Sequence, residues 1–357
     1  MTPPGGSRAE RKAGRAREAT GAARRAAAAG GGSADGAARA ASPAHAPSPA
    51  PAPAPPPAPV RADGLPSVIA VFGPTASGKT AVAEAVAAAV DGVVVSCDSM
   101  QCYAGVPILT NQPERETRLV GIWPLSYSGS VGEYQALAHA TVDEIAESGQ
   151  IAVVAGGTGL YLRAALAELH LPPAPRPGLR AEMEALHRQL GPVEAHRELA
   201  RRDPDAAAAL HPNDSRRVIR ALELHAVGKT LTPERDRLWS KTTRLPSLVI
   251  GLEVGRDELS RRIGVRTAEM WERGGPDEAR AVLAAGLSDQ ARQMIGLRET
   301  EQELERDEWI ESVTVRTRQY ARRQRIWMRK IPGLVTVDAE RPSAATCDEI
   351  LEMARAR

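Results

Sequence analysis

Aromatic side chains are scarce in this 357-residue chain, at 3%, while alanine, arginine and proline abound, a bias that a GC-rich coding sequence alone would give. Cysteine is nearly absent. Cys97, Cys102 and Cys347 have neither metal-ligand spacing nor a disulfide framework, so a reducing compartment, the cytoplasm, fits. No run of about 18 apolar residues occurs, so no transmembrane helix and no membrane partner are expected. A strong overall charge is lacking too. The net +2 hides an asymmetry: residues 1–62 hold nine of the 46 Lys and Arg but three of the 44 acids. The remaining chain keeps 37 basic and 41 acidic residues and is slightly acidic. Any nucleic-acid binding must therefore come from local patches, not from a global field.

What is present divides the chain. Residues 1–64 are Ala, Gly, Pro and Arg with almost nothing to bury, and read as a disordered tail ending in an extended Pro-Ala linker. The Arg-rich, acid-poor start also resembles a transit peptide without its amphipathic pattern, and an over-extended start codon reads equally well. From Ser67, strand and helix patterns alternate: strands at 68–72, 92–96, 151–155 and 248–252, with a short one at 334–337. Val-rich runs without polar alternation suit a parallel sheet buried on both faces. The expected fold is α/β: a P-loop-containing doubly wound parallel sheet, with its ligand at the carboxyl ends of the strands. Helices are expected at 79–90, 132–148 (with a capping-box spacing at Ser130 and Glu133), 257–273, 276–285, 290–303 and 307–330. The Pro-rich break at 171–178 opens an all-helical stretch. The expected division is 1–64 tail, 65–171 first part of the core, 172–242 helical insertion, and 243–357 second part of the core with basic helices.

The most informative stretch is Gly73-Pro74-Thr75-Ala76-Ser77-Gly78-Lys79-Thr80, between a buried strand and a helix. This is the G-x-x-x-x-G-K-[ST] phosphate loop in its strand–loop–helix setting. Its backbone N–H groups can wrap a phosphate, Lys79 adds a charge, the helix N-terminus adds its dipole, and Thr80 is placed to offer a hydroxyl to Mg²⁺. Asp98 ends the second strand, nineteen residues after Lys79, and faces the loop across the crevice. Metal ligation and general-base work are both open to it, and capping of the next turn is the bland alternative. Ser99, Gln101 and Tyr103 beside it suit a flat polar acceptor. The third strand ends in Gly156-Gly-Thr158-Gly, where a phosphate-loop ATPase carries an acid for Mg²⁺, which suggests close approach of another backbone and argues against an ordinary ATPase. A run from Arg316 to Lys330 carries seven cations and no acid. Val313, Thr317, Tyr320, Gln324, Trp327 and Met328 form its packing stripe, and Arg318, Arg322, Arg325 and Arg329 a second stripe for an anion. Arg216 and Arg220 share a helical face, to hold phosphates or to pair with Glu223. Arg266 follows the fourth strand by a helix length and can reach the crevice.

In this order the motifs resemble the tRNA dimethylallyltransferase (tRNA isopentenyl transferase) family: Gly73 to Thr80, Asp98-Ser-Met-Gln-Cys-Tyr103, Gly156-Gly-Thr-Gly-Leu-Tyr161, His211-Pro-Asn-Asp-Ser-Arg216 through Glu223, and Tyr320-Ala-Arg-Arg-Gln324 with Trp327. The resemblance implies transfer of a dimethylallyl group from its diphosphate to N6 of the adenine 3′ to the anticodon, in tRNAs reading codons that start with U. It implies Asp98 as base, Thr75 and Arg266 as catalytic partners, residues 73–80 on the diphosphate, and Mg²⁺ at Thr80. It further implies tRNA contacts at Asp98, Ser99, Met100, Gln101, Thr158, Arg216, Arg217, Arg220, Gln293, Arg298, Arg322 and Arg323. The implied partners are the tRNA anticodon stem-loop and dimethylallyl diphosphate, and a monomer is expected. Where the family usually has Gly-Thr-Ala-Lys-Pro, this chain reads Leu109-Thr-Asn-Gln-Pro113, and the segment through Leu119 is shortened; Cys102 replaces an aliphatic residue, and Gln293 to Arg298 lacks the usual tyrosine. These departures fall on the tRNA-positioning side. An adenine-nucleotide prenyltransferase, a P-loop small-molecule kinase and a non-catalytic RNA-binding protein are the alternatives. The helical stretch and Arg stripe favour tRNA, and the glycine ending of strand three counts against a kinase.

Overall fold

Val68–Phe72 (β1) is buried at all five positions, which requires cover on both faces of the sheet. The computed structural model supplies it, and describes residues 64–169, 171, 176, 178–231 and 240–356. Expectations for residues 1–63 lie outside these. The other strands are Gly92–Ser96 (β2), Ile151–Gly156 (β3), Ser247–Glu253 (β4) and Val335–Asp338 (β5). Among the described residues they form one all-parallel sheet in the order β2-β3-β1-β4-β5, with Phe72 opposite Gly156 on one side and Gly251 on the other. The α/β reading with a parallel sheet therefore holds.

Helices Lys79–Ala89 (α1), Val131–Glu147 (α2) and Gly159–Leu166 (α3) connect the first strands. Strand side chains alternate between faces. Ile69 and Val71 pack with Val82 and Val86 of α1 and with Ile350 of the last helix. Val68, Ala70 and Phe72 pack on the other face with Tyr134 and Ala138 of α2 and Leu162 of α3. Ser130 starts α2 with a complete capping box: its Oγ accepts the Glu133 N–H, and the Glu133 carboxylate accepts the Ser130 N–H.

Helices Leu179–Arg202 (α4), Pro204–Ala208 (α5) and Ser215–Ala226 (α6) enclose their own small core of Ala195, Leu199, Ala206, Val218 and Leu222. Helical geometry breaks inside α4 at Gly191, with φ of 76°, just before Pro192. The chain returns to the sheet under two ties: the buried Arg163 Nη2 donates to Ser240 O at 2.8 Å, and Arg244 N–H to Leu166 O at 2.8 Å.

The remaining helices are Arg256–Glu272 (α7), Gly275–Ala284 (α8), Leu297–Glu301 (α9), Arg306–Met328 (α10) and Ser343–Arg355 (α11). The continuous helix expected over 290–303 does not form. A short 3-10 turn at Ala291–Gln293 is followed by α9, because Gly296 takes a φ of 107° and breaks the spiral. Buried Glu299 then caps the new start through the Gly296 N–H at 3.1 Å and holds Arg316 of α10 at 2.8 Å.

Candidate active site

β1 and β3 lie side by side and parallel, but their following helices leave toward opposite faces. The loops 73–80 and 156–159 therefore part at the carboxyl ends of these strands and leave a crevice. The segment after β2, starting at Cys97, joins it, since the Cys97 N–H pairs with Ala155 O at 2.8 Å. α7 and α10 wall the opening. The resulting cavity has a volume of about 460 Å³, with Thr75, Lys79, Thr80, Asp98, Arg266 and Tyr320 among its lining residues.

Residues 73–80 form a tight loop that enters α1 through Gly78 at a φ of 86°, with Ala76 also left-handed at 63°. The Ser77 N–H returns to Pro74 O at 3.2 Å, while Ser77 Oγ is buried without a hydrogen-bond partner. Lys79 Nζ donates to Pro74 O at 2.8 Å. Thr75 Oγ1 accepts from Arg266 Nη1 at 2.5 Å, and the Thr75 N–H donates to Gln324 Oε1 at 2.8 Å. Burial pulls the Lys79 amine down to about 8; Asp98 opposes this, and Arg266 adds to it. Burial also lowers Arg266, again against Asp98. Two desolvated cations thus face Asp98 across a crevice whose wall also carries Arg262 and Glu269, and desolvated cations favour a polyanion.

On the facing side, Asp98 Oδ1 accepts the Met100 N–H at 3.0 Å, so the residue caps its own turn as well as lining the cavity. Ser99 meets Thr158 through its N–H at 3.2 Å. Gln101 spends its amide on the protein: Oε1 accepts from Ser96 Oγ at 2.8 Å, and Nε2 donates to Asn111 O at 2.8 Å and Thr110 O at 3.3 Å. It fixes the altered 109–113 segment, where Gln112 likewise turns inward to Tyr103 O at 2.7 Å. Burial pushes the Cys97 thiol up and Cys102 up to about 12, so neither is a ready nucleophile.

The structure gathers Thr75, Ala76, Gly78, Lys79, Thr80, Asp98, Met100, Gln101 and Arg266 on the cavity wall. The other expected tRNA contacts lie elsewhere. Arg216 and Arg217 are exposed on α6, while Arg220 and Arg180 pair with the buried Glu223 at 3.0 and 3.1 Å. Gln293 and Arg298 are exposed before and within α9. Arg322 and Arg323 are exposed on α10, with Arg323 over the Tyr320 ring at 5.7 Å. Sequence reasoning missed the roles of Tyr320 and Gln324, which sat in a stripe read as packing. Two polar residues at i, i+4 within that stripe were the available signal. It also missed the apolar wall formed by Leu109, Met270, Met294 and Ile295.

Comparison with known proteins gives matches over most of the chain. Residues 101–331 match the family profile described as IPP transferase, and 66–118 one described as isopentenyl transferase. The tRNA dimethylallyltransferase of Salinispora arenicola is 39% identical over 285 residues, covering 76% of this chain and 82% of that protein. That of Myxococcus xanthus is 40% identical over 282 residues, covering 76% and 92%. Among solved structures, the tRNA isopentenylpyrophosphate transferase of Bacillus halodurans aligns with a TM-score of 0.56 at 33% identity, covering 81% of this chain and 94% of that one. A eukaryotic dimethylallyltransferase solved acting on tRNA aligns with a TM-score of 0.65 at 27% identity, covering 76% and 73%.

Proposed function

The chain belongs to the IPP transferase family, is a tRNA dimethylallyltransferase and prenylates tRNA; from that premise we propose how its crevice does so. The 73–80 loop acts as a phosphate loop for the diphosphate of dimethylallyl diphosphate, and the acceptor is N6 of the adenine 3′ to the anticodon, in tRNAs reading codons that start with U. The observation that carries this reading is the meeting of Lys79 and Arg266, both lowered by desolvation, with the carboxylate of Asp98 around one cavity.

The allylic C1–O bond breaks, and its electron pair leaves with the diphosphate. The N6 lone pair forms the new N6–C1 bond, and the N6 proton passes to the Asp98 carboxylate. An exocyclic amine is a poor nucleophile, so a base within hydrogen-bond reach is needed. Charge gathers on the diphosphate as the bond breaks. Lys79 and Arg266, fixed in advance in a water-poor crevice, stabilise that charge more in the transition state than in the ground state. Thr75, gripped by Arg266, sits beside the donor. Met100, Leu109, Met270 and Met294 on the wall screen the electron-poor allylic carbon from water.

Mg²⁺ fits this donor set. Among the described residues no cluster of three acids, His or Cys could hold a metal alone, and Thr80 on the wall suits an ion held mainly by phosphate oxygens and water. When bound there, the ion would neutralise part of the diphosphate charge.

The adenine must leave the anticodon stack to enter the cavity. Asp98 and Met100 meet it there, with Ser99 and Thr158 bonded to each other beside them, while exposed Arg216, Arg217, Gln293, Arg298, Arg322 and Arg323 serve the RNA backbone. Gln101 and Arg220 act by holding structure rather than RNA, because their side chains are engaged internally. A monomer suffices, since every group in the reading comes from one chain. The test is incubation with dimethylallyl diphosphate, Mg²⁺ and unmodified anticodon stem-loop, followed by nucleoside mass spectrometry. The expected product is N6-dimethylallyladenosine at the single position 3′ to the anticodon. Modification at another base, or of free adenine nucleotides only, would overturn the reading.

A further inference from the structure

Gln324 is buried on α10, and the chemistry above makes no use of its amide. Its two ends go to two different loops. Oε1 accepts the Thr75 N–H at 2.8 Å, and Nε2 donates to the Gly157 carbonyl at 2.9 Å. Thr75 lies in the loop after β1 and Gly157 in the loop after β3, the two lips of the crevice. One turn earlier on the same helix, Tyr320 lines the cavity, and next to Gly157 the Thr158 Oγ1 takes the Ser99 N–H at 3.2 Å, directly after Asp98. The contact is shaped from both sides: a Cβ on residue 157 would collide with the Gln324 amide, so only glycine leaves room for the bridge. A loop that wraps an anion normally aims its N–H groups at the ligand. Here the Thr75 N–H is turned to a protein acceptor, which fixes the residue whose hydroxyl Arg266 grips at 2.5 Å.

We propose that Gln324 is a positioning residue of prenyl transfer: by bridging the Thr75 N–H and the Gly157 carbonyl it sets the separation between the diphosphate lip and the Asp98 lip. The inference rests on the prenyl-transfer reading and deepens it. Gln324 touches no reacting atom. It holds the leaving diphosphate and the attacking N6 in line, and misplacement of reacting groups by about 1 Å costs on the order of a hundredfold in rate.

The test is a double-mutant cycle on the full chain with Gln324→Ala, Gly157→Ala and the two combined, plus Gln324→Glu. Each single alanine variant is expected to lower kcat about a hundredfold, with KM for tRNA and for dimethylallyl diphosphate within about threefold of the parent. The double variant should lose no more than either single one, because both remove the same bridge. Gln324→Glu keeps an acceptor for the Thr75 N–H but offers no donor to the Gly157 carbonyl, so it should stay within about threefold of Gln324→Ala. Amide hydrogen exchange without substrates is the second readout: peptides covering 73–80 and 156–161 should exchange about tenfold faster in Gln324→Ala, with the rest of the chain unchanged. Unchanged kcat, losses that multiply in the double variant, a loss confined to KM for tRNA, or faster exchange throughout the chain would each overturn the proposal. If the parent protein transfers no prenyl group, the functional reading falls. The exchange measurement then decides alone: acceleration confined to the two loops supports the bridge, and its absence refutes it.

Discussion

Lys79 titrates where an experiment can reach it. The amine is buried beside Arg266, and its pKa falls from the ordinary 10.5 to about 8. A bound diphosphate surrounds it with negative charge and returns the pKa above its ordinary value. Binding therefore takes up a proton whenever the empty site has lost one. About nine-tenths of empty sites carry a charged Lys79 at pH 7 and about one-tenth at pH 9. The affinity for dimethylallyl diphosphate without tRNA should fall about tenfold between those pH values, about 1.4 kcal/mol, with about half a proton taken up at pH 8. The ligand adds little of its own, since terminal phosphates ionise near pH 6. Calorimetric titration in two buffers of different ionisation heat measures both quantities, and Lys79→Met should abolish the slope. The same residue weakens the empty fold. Its folded pKa lies below its unfolded one, so the unfolded chain binds more protons between pH 8 and 10.5. The cost is present in full below pH 8, at most about 3 kcal/mol, and fades as pH rises to 10.5. Lys79→Met should accordingly raise Tm at pH 7 while losing diphosphate affinity. Affinity flat within twofold from pH 7 to pH 9, with no proton uptake, would refute the reasoning.

Further outcomes follow from other contacts. Arg266→Gln should weaken diphosphate binding by about 10- to 100-fold, the worth of charged hydrogen bonds, and move the midpoint of the Lys79 profile upward, because Arg266 lowers that pKa; titration calorimetry reads both. Arg323→Gln should weaken tRNA binding evenly across sequences and reduce the slope of log affinity against log salt by about one. Ser130→Ala removes the oxygen that caps α2 and should cost about 1 kcal/mol in denaturant unfolding, with kcat unchanged.

The strands were legible because burial on both faces leaves uninterrupted Val-rich runs, and β1 and β2 fall where those runs lie. Helix α2 announced itself through Ser130 and Glu133. The break between Met294 and Leu297 was not legible, since a lone glycine in a helical pattern does not reveal whether it will turn left-handed. In the crevice, residue type and chain order pointed to Lys79 and Asp98, because chemistry restricts both. Partner choice did not show. Nothing in the sequence says that Gln101 would turn to Asn111 O, that Arg220 would be taken by Glu223, or that Gln324 would join two loops 82 residues apart, Thr75 and Gly157. Those choices are made by three-dimensional packing, where a buried polar group takes whatever partner the neighbouring element brings.

The most direct test of the account separates the two sides of the crevice in one variant. Asp98→Ala should bind inorganic diphosphate within a few-fold of the parent, yet transfer the dimethylallyl group to an anticodon stem-loop at least about a hundredfold more slowly in a single turnover, because base and leaving-group site are distinct. Prenylation at the parent's rate by Asp98→Ala would contradict it.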